Sequence, residues 1–111
     1  MEERTARFGE RIIELAKALN VDRVNDVLVR QIVRSGTSVG ANYMEADSAG
    51  SKKDFKHKID LCRKEAKETK HWLRMIATAN PDKKETTRTL WQEAHELTLI
   101  FSSIAASCRK P

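Results

Sequence analysis

Chain breakers are scarce in this sequence: four glycines and two prolines among 111 residues. That composition favours a mostly helical protein, and no strand pattern competes anywhere along the chain. Cysteine is equally sparse. Cys62 and Cys108 both fall on helical core seams, so they are expected to be buried reduced thiols, as in a cytoplasmic protein. No long apolar run exists, and the charged start Met1-Glu2-Glu3-Arg4 leads into none, so neither a signal peptide nor a membrane span is expected. No glycine-rich phosphate loop is present, because Ser35-Gly36-Thr37-Ser38-Val39-Gly40 lies inside a helical pattern and lacks the P-loop lysine. There is also no solenoid repeat, no low-complexity tract and no aromatic array for stacking bases.

What is present is charge and helical periodicity. Charged residues make up 33% and hydrophobic ones 40%, with a net charge of +5. The length suits one domain, residues 1–111, with a real core. The basic balance permits an acidic partner, nucleic acid foremost, although many helical bundles are mildly basic for no functional reason.

Four helices are predicted. The first runs from about Glu3 to Leu19 with Phe8, Ile12, Leu15 and Leu19 as its seam, and ends at Asn20 in the left-handed conformation. Asp22 caps the second, which continues to about Ala46 and carries Val24, Leu28, Ile32, Val39 and Tyr43. Ser51-Lys52-Lys53-Asp54 has the form of a helix start. From there Phe55, Ile59, Cys62, Ala66, Thr69, Leu73 and Ile76 alternate steps of four and three to about Ala79, where Asn80-Pro81 stops the helix. Asp82 with Glu85 resembles a capping signal for the fourth, whose seam is Leu90, Ala94, Leu97, Phe101, Ile104 and Cys108. Short connections make this an all-α, antiparallel up-down four-helix bundle.

The second helix is unusual within that scheme. Gln31, Arg34, Ser38, Asn42 and Glu45 form a polar stripe beside the apolar one, and Gly36 and Gly40 sit one turn apart. Each glycine costs about 1 kcal/mol relative to alanine, so close backbone approach is expected there. A solvated face with two tolerated glycines is the plainer alternative. Folding about Asp47-Ser48-Ala49-Gly50 brings Arg34 within a helical turn of Glu65, and an Arg34–Glu65 pair, with Glu68 one turn on, would complete a structural polar ladder.

The run Gln31-x-x-Arg34-Ser35-Gly36-Thr37-Ser38-x-Gly40-Ala41-Asn42-Tyr43-x-Glu45-Ala46, followed by Ser51-Lys52-Lys53-Asp54-Phe55 and Lys64-Glu65-x-x-Glu68-Thr69-x-x-Trp72-Leu73, closely resembles a bacterial family. It is the family of four-helix-bundle proteins encoded in intervening sequences of large-subunit ribosomal RNA genes. The resemblance covers essentially the whole chain and implies a homopentamer. A related branch, the accessory protein of diversity-generating retroelements, binds nucleic acid and a reverse transcriptase. The resemblance therefore makes RNA or DNA, and a reverse transcriptase, the partners to test. It brings no catalytic residues, and the signature positions look architectural.

Four seams leave apolar residues over. Leu61, Trp72 and Met75 on the third helix and Trp91, Leu99 and Ile100 on the fourth lie off the core, with Ile13 spare on the first. Scattered exposed apolar side chains are ordinary, but two tryptophans suit an interface core. Leu61, Trp72, Met75, Trp91 and Leu99 are thus the expected oligomer interface. Lys52, Lys56, Arg63, Lys67, Lys70 and Arg74 fall along one flank of the third helix, with Lys53 and Lys64 beside them, and could track a phosphate backbone. The alternative is a solvated face on which Asp60, Glu65 and Glu68 pair with these lysines.

Catalytic readings fare worse. Glu68-x-x-His71 matches half of a di-iron motif, but the fourth helix offers Gln92-x-x-His95 instead of its partner. His57, His71 and His95 are expected at the surface. No metal, cofactor or catalytic group is assigned, and an enzyme is not expected. Two function classes remain. One is a basic oligomer that binds RNA or DNA without strong sequence preference. The other is a structural or regulatory scaffold for a protein partner.

Overall fold

The computed structural model describes residues 1–109. The last two positions of the expected domain 1–111 lie outside the described residues. Four α-helices follow one another: α1 (Glu2–Ala18), α2 (Arg23–Asp47), α3 (Lys52–Ala79) and α4 (Lys84–Ser107), with a 3-10 turn at Pro81–Lys83. No strand occurs among the described residues.

Local chemistry starts two of these helices as expected. Asp22 accepts the backbone N–H of Asn25 at 2.7 Å, and Ser51 Oγ accepts that of Asp54 at 3.1 Å; each side chain satisfies a donor that the first helical turn leaves open. Two other ends differ from expectation. No described residue has a positive φ, so Asn20 does not end α1 in the left-handed region. Leu19 leaves the helix in an extended conformation instead, and the Asn20 carbonyl accepts from Asn25 Nδ2 at 2.9 Å. Asp82 does not cap α4 either. Pro81 opens a 3-10 turn in which Lys83 N–H bonds to the Asn80 carbonyl at 2.9 Å, and the chain passes directly into α4 without a side-chain cap.

The seams close on one core. Phe8, Ile12, Leu15 and Leu19 of α1, Ile32 and Val39 of α2, Ile59, Cys62, Ala66, Leu73 and Ile76 of α3, and Leu90, Ala94, Leu97 and Phe101 of α4 are all buried. Leu28, Tyr43, Phe55 and Ile104 are partly buried against them. Val24, placed on the α2 seam from spacing, is 59% exposed. Near the end of α4 the seam turns onto Ala105, which leaves Cys108 half-buried rather than buried.

The glycines of α2 mark a close helix crossing. A Cβ built on Gly36 would lie 2.9 Å from both Cγ atoms of Ile12, and one on Gly40 would lie 3.4 Å from the backbone of Thr5. Gly9 of α1 answers them, its would-be Cβ lying 3.5 Å from the Thr37 Cα. Small residues on both sides let α1 and α2 approach at backbone distance, which offsets the helix propensity lost at each glycine.

Successive contacts between α2 and α3 run in opposite residue order. Asn25 exchanges side-chain hydrogen bonds with Asn80, Ser35 accepts from Thr69, the Val39 carbonyl accepts from Cys62, and Glu45 pairs with Lys58. Each helix also packs on the next along the chain, and α1 meets α4. Arg4 fixes that last contact with paired bonds of 2.8 and 2.7 Å to Glu93.

Candidate nucleic-acid interface

The two flanks of α3 are built from opposite chemistry. Toward α2, charges are paired. Arg34 reaches Glu65 at 3.2 Å and Gln31 at 3.3 Å, and also bonds to Glu68. Trp72 Nε1–H donates to the same Glu68 oxygen that Arg34 contacts, at 2.8 Å. Burial works against the charge on Glu68, but these donors outweigh it and hold its carboxyl below the ordinary range. Glu45 of the ladder reaches Lys58 of α3 at 2.7 Å, whereas Ser38 and Asn42 stay local. Ser38 Oγ donates to the Arg34 carbonyl and Asn42 Nδ2 to the Ser38 carbonyl. The Arg34–Glu65 pair is half open to solvent, with side chains 48% and 12% exposed.

Toward α4, cations predominate. Arg63, Lys67 and Arg74 are exposed, and none forms a salt bridge with a described residue. Lys56 is the exception in this row. Its ammonium binds Asp60 at 2.7 Å, a hydrogen bond that holds the Asp60 carboxyl below its usual range. Lys52 and Lys53 are exposed at the start of α3. Of the local acid partners expected for the lysine row, only Asp60 serves; Glu65 and Glu68 turn to Arg34 on the other flank.

The fold adds residues that spacing did not single out. Arg74 shares a groove of about 540 Å³ with Leu73 and Ala77 of α3 and Lys84, Thr87, Arg88 and Trp91 of α4. Lys84 and Arg88 stand one turn apart, followed by Trp91; that basic pair beside an aromatic was the signal available in the sequence. Lys70 does not extend freely into solvent. Its Nζ lies 3.1 Å from His95 Nδ1 and 5.1 Å from the centre of the Trp91 ring. His95 is therefore half-buried, stacked on Trp91 at 15°, and not a surface histidine as expected; His57 and His71 are exposed.

The apolar residues assigned to an oligomer interface divide. Trp72 and Trp91 lean back onto the core, and Leu61 and Met75 are half-buried within the subunit. Leu99 remains 56% exposed and Ile13 41%.

The model of the 23S rRNA-intervening sequence proteins matches residues 2–104. The chain belongs to that family. No curated protein matches it. Among solved structures, this intervening sequence protein is similar to a crystal structure from Bacteroides thetaiotaomicron, described as a protein of unknown function from the S23 ribosomal protein family. The two share 34% identity over 94% of this chain and 96% of the other, with a TM-score of 0.83. No helix among the described residues is long and apolar enough to cross a membrane.

Proposed function

We propose that this intervening sequence protein is a non-enzymatic, basic, oligomeric four-helix bundle that binds RNA or DNA through the phosphate backbone. The observation that carries this reading is the separation of charge on α3. Acids on the α2 side are consumed by Arg34, whereas Arg63, Lys67 and Arg74 have no salt-bridge partner among the described residues, and Arg74 converges with Lys84 and Arg88 of α4. No carboxylate among the described residues lines the groove where these two helices meet. Unpaired cations lose little by exchanging water for phosphate and gain the entropy of released counterions. Contacts of this kind give affinity and orientation without sequence readout.

In the same reading the helices form an antiparallel up-down bundle, supported by the opposed order of contacts along α2 and α3. The bundle assembles as a homopentamer, supported by the family resemblance and by exposed Leu99. Five subunits at +5 each carry about +25, which strengthens long-range attraction to nucleic acid.

The test is a salt series with arbitrary RNA and DNA. Binding is expected to be tight at low salt and weak at physiological salt, with similar affinity across sequences. Changing Arg63, Lys67, Arg74 and Arg88 to glutamine lowers affinity and flattens the slope of log K against log salt by roughly 0.7–0.9 for each phosphate no longer neutralised. The control pair Lys17 and Arg109 has a smaller effect. Equal losses from both sets would indicate diffuse charge. Absence of binding at low salt would favour the scaffold for a protein partner.

A further inference from the structure

Trp91 occupies an unusual place in the α3–α4 groove. Lys70 Nζ and the His95 ring each lie 5.1 Å from its ring centre. They are also only 3.1 Å from each other, Nζ to Nδ1. Groups that close together at that range lie on one side of the indole, because opposite sides would hold them much farther apart. Lys70 and His95 do not line the groove, whereas Trp91 does. The indole thus has two surroundings, Lys70 and His95 on one side and the groove that it lines with Arg74, Lys84 and Arg88.

We infer that this groove holds one unpaired nucleotide of a single-stranded nucleic acid, its base against Trp91 and its neighbouring phosphates on Arg74, Lys84 and Arg88. This rests on the phosphate-binding reading above and narrows it to single strands. A π-face beside cations is the combination that retains single strands with little regard to sequence, since every base can stack. The groove, about 540 Å³, falls within the range of roughly 300–1,000 Å³ common for small-molecule sites. Paired bases cannot use such a platform, because their faces are already covered within the duplex stack. The cation row extends the site. Arg63 to Arg74 spans about 16 Å of helix, a straight track that one extended strand can follow beyond the groove. The Lys70–His95 contact braces the indole from behind.

Trp72→Phe leaves Trp91 as the sole tryptophan, so indole emission reports the groove directly. Three probes are titrated at low salt: a mixed-sequence RNA decamer, its duplex, and inorganic polyphosphate. The decamer is expected to quench Trp91 on binding, whereas the duplex and polyphosphate bind through charge and leave the emission unchanged. Trp91→Leu, which keeps an apolar side chain against the core, weakens decamer binding roughly tenfold without altering polyphosphate binding. Trp91→Phe restores most of the loss. Quenching by all three probes alike, or decamer binding that leaves both emission and the Trp91→Leu affinity unchanged, overturns the base site while sparing the phosphate surface. No binding by any probe overturns both.

Discussion

Changing Gly36 to alanine should destabilise the protein, although alanine is the better helix former. The gain is general: replacing a mid-helix glycine contributes about 1 kcal/mol. The loss is local. The new methyl would lie 2.9 Å from Ile12 Cγ1 and Cγ2 and 3.1 Å from its Cβ. Ile12 is fully buried, and a β-branched side chain in a helix has essentially one χ1 rotamer. The clashing atoms sit next to its own backbone and cannot swing aside, so α1 and α2 must separate. Overpacking of this kind costs about 1–3 kcal/mol. A clash with three atoms at once places Gly36→Ala toward the upper end, for a net loss of about 1–2 kcal/mol after the helical gain.

Gly9 provides the opposite sign from the same interface. Its added Cβ would meet Thr37 Cα at 3.5 Å and the Gly36 carbonyl at 3.6 Å, ordinary contact distances. Gly9→Ala should therefore keep most of its propensity gain, with Gly40→Ala between the two because the Thr5 backbone stands at 3.4 Å. Thermal and urea melts at one fixed protein concentration read the order, each 1 kcal/mol shifting Tm by roughly 4–8 °C in a domain of this size. Ile12→Ala should cost less in the Gly36→Ala background than alone, since the new methyl enters space that Ile12 vacates. A Gly36→Ala protein as stable as the parent, or a Gly9→Ala protein less stable than Gly36→Ala, would refute the close-crossing argument.

Glu65→Ala should cost about 1 kcal/mol, near the surface limit, because Arg34 is half-exposed and keeps Glu68 and Gln31; denaturant melts of the single and double mutants with Arg34→Ala measure the coupling. Glu68 has a lowered carboxyl pKa in the fold, so its contribution is present above the unfolded value of about 4.3. That contribution is lost as pH falls through the lower folded value, and Glu68→Gln should flatten this acid limb of stability against pH. Burial pushes the Cys62 thiol up to about 12, so iodoacetamide at neutral pH should label Cys108 first and Cys62 only on unfolding, as peptide mass mapping would show. Light scattering should give five times the subunit mass, with Leu99→Glu weakening the assembly; a concentration-independent monomer would exclude it.

Helix existence and register were legible because they depend on local repetition. The steps of four and three on α3 placed Ile59, Cys62, Ala66, Leu73 and Ile76 inside, and the short connection to α2 set Arg34 opposite Glu65. Gly36 and Gly40 pointed to close approach because few other reasons keep two glycines one turn apart in a helix. Helix ends were less legible where two local solutions compete. Asn20 could have adopted a left-handed cap, but Leu19 turns out first; Asp82 could have capped α4, but Pro81 supports a 3-10 entry. Trp72 and Trp91 counted as leftover surface by spacing, yet an indole is long enough to fold back onto the core from a flank. The groove with Lys84 and Arg88 depends on how α4 is rotated against α3, a tertiary quantity that neither helix carries in its own pattern.

The two flanks of α3 constrain one another. Packing against α2 buries Glu65 and half-buries Glu68, and those carboxylates must find cations near them. Arg34 supplies that charge from α2, so the lysines and arginines of α3 are not drawn inward to neutralise their own helix. Arg63, Lys67 and Arg74 on the α4 side are thereby left exposed, while Asp60 binds Lys56. If Arg34 were lost, Glu68 would still have Lys64 one turn away on its own helix, already contributing favourably to its charge. Arg63 and Lys67 lie on the opposite side of α3 and could not substitute without breaking the register. The ladder that holds α2 to α3 and the basic surface facing outward are consequences of a single arrangement. Arg34→Gln is accordingly expected to lower stability while leaving the salt slope of nucleic-acid binding intact, a combination that a surface of undifferentiated charge would not produce.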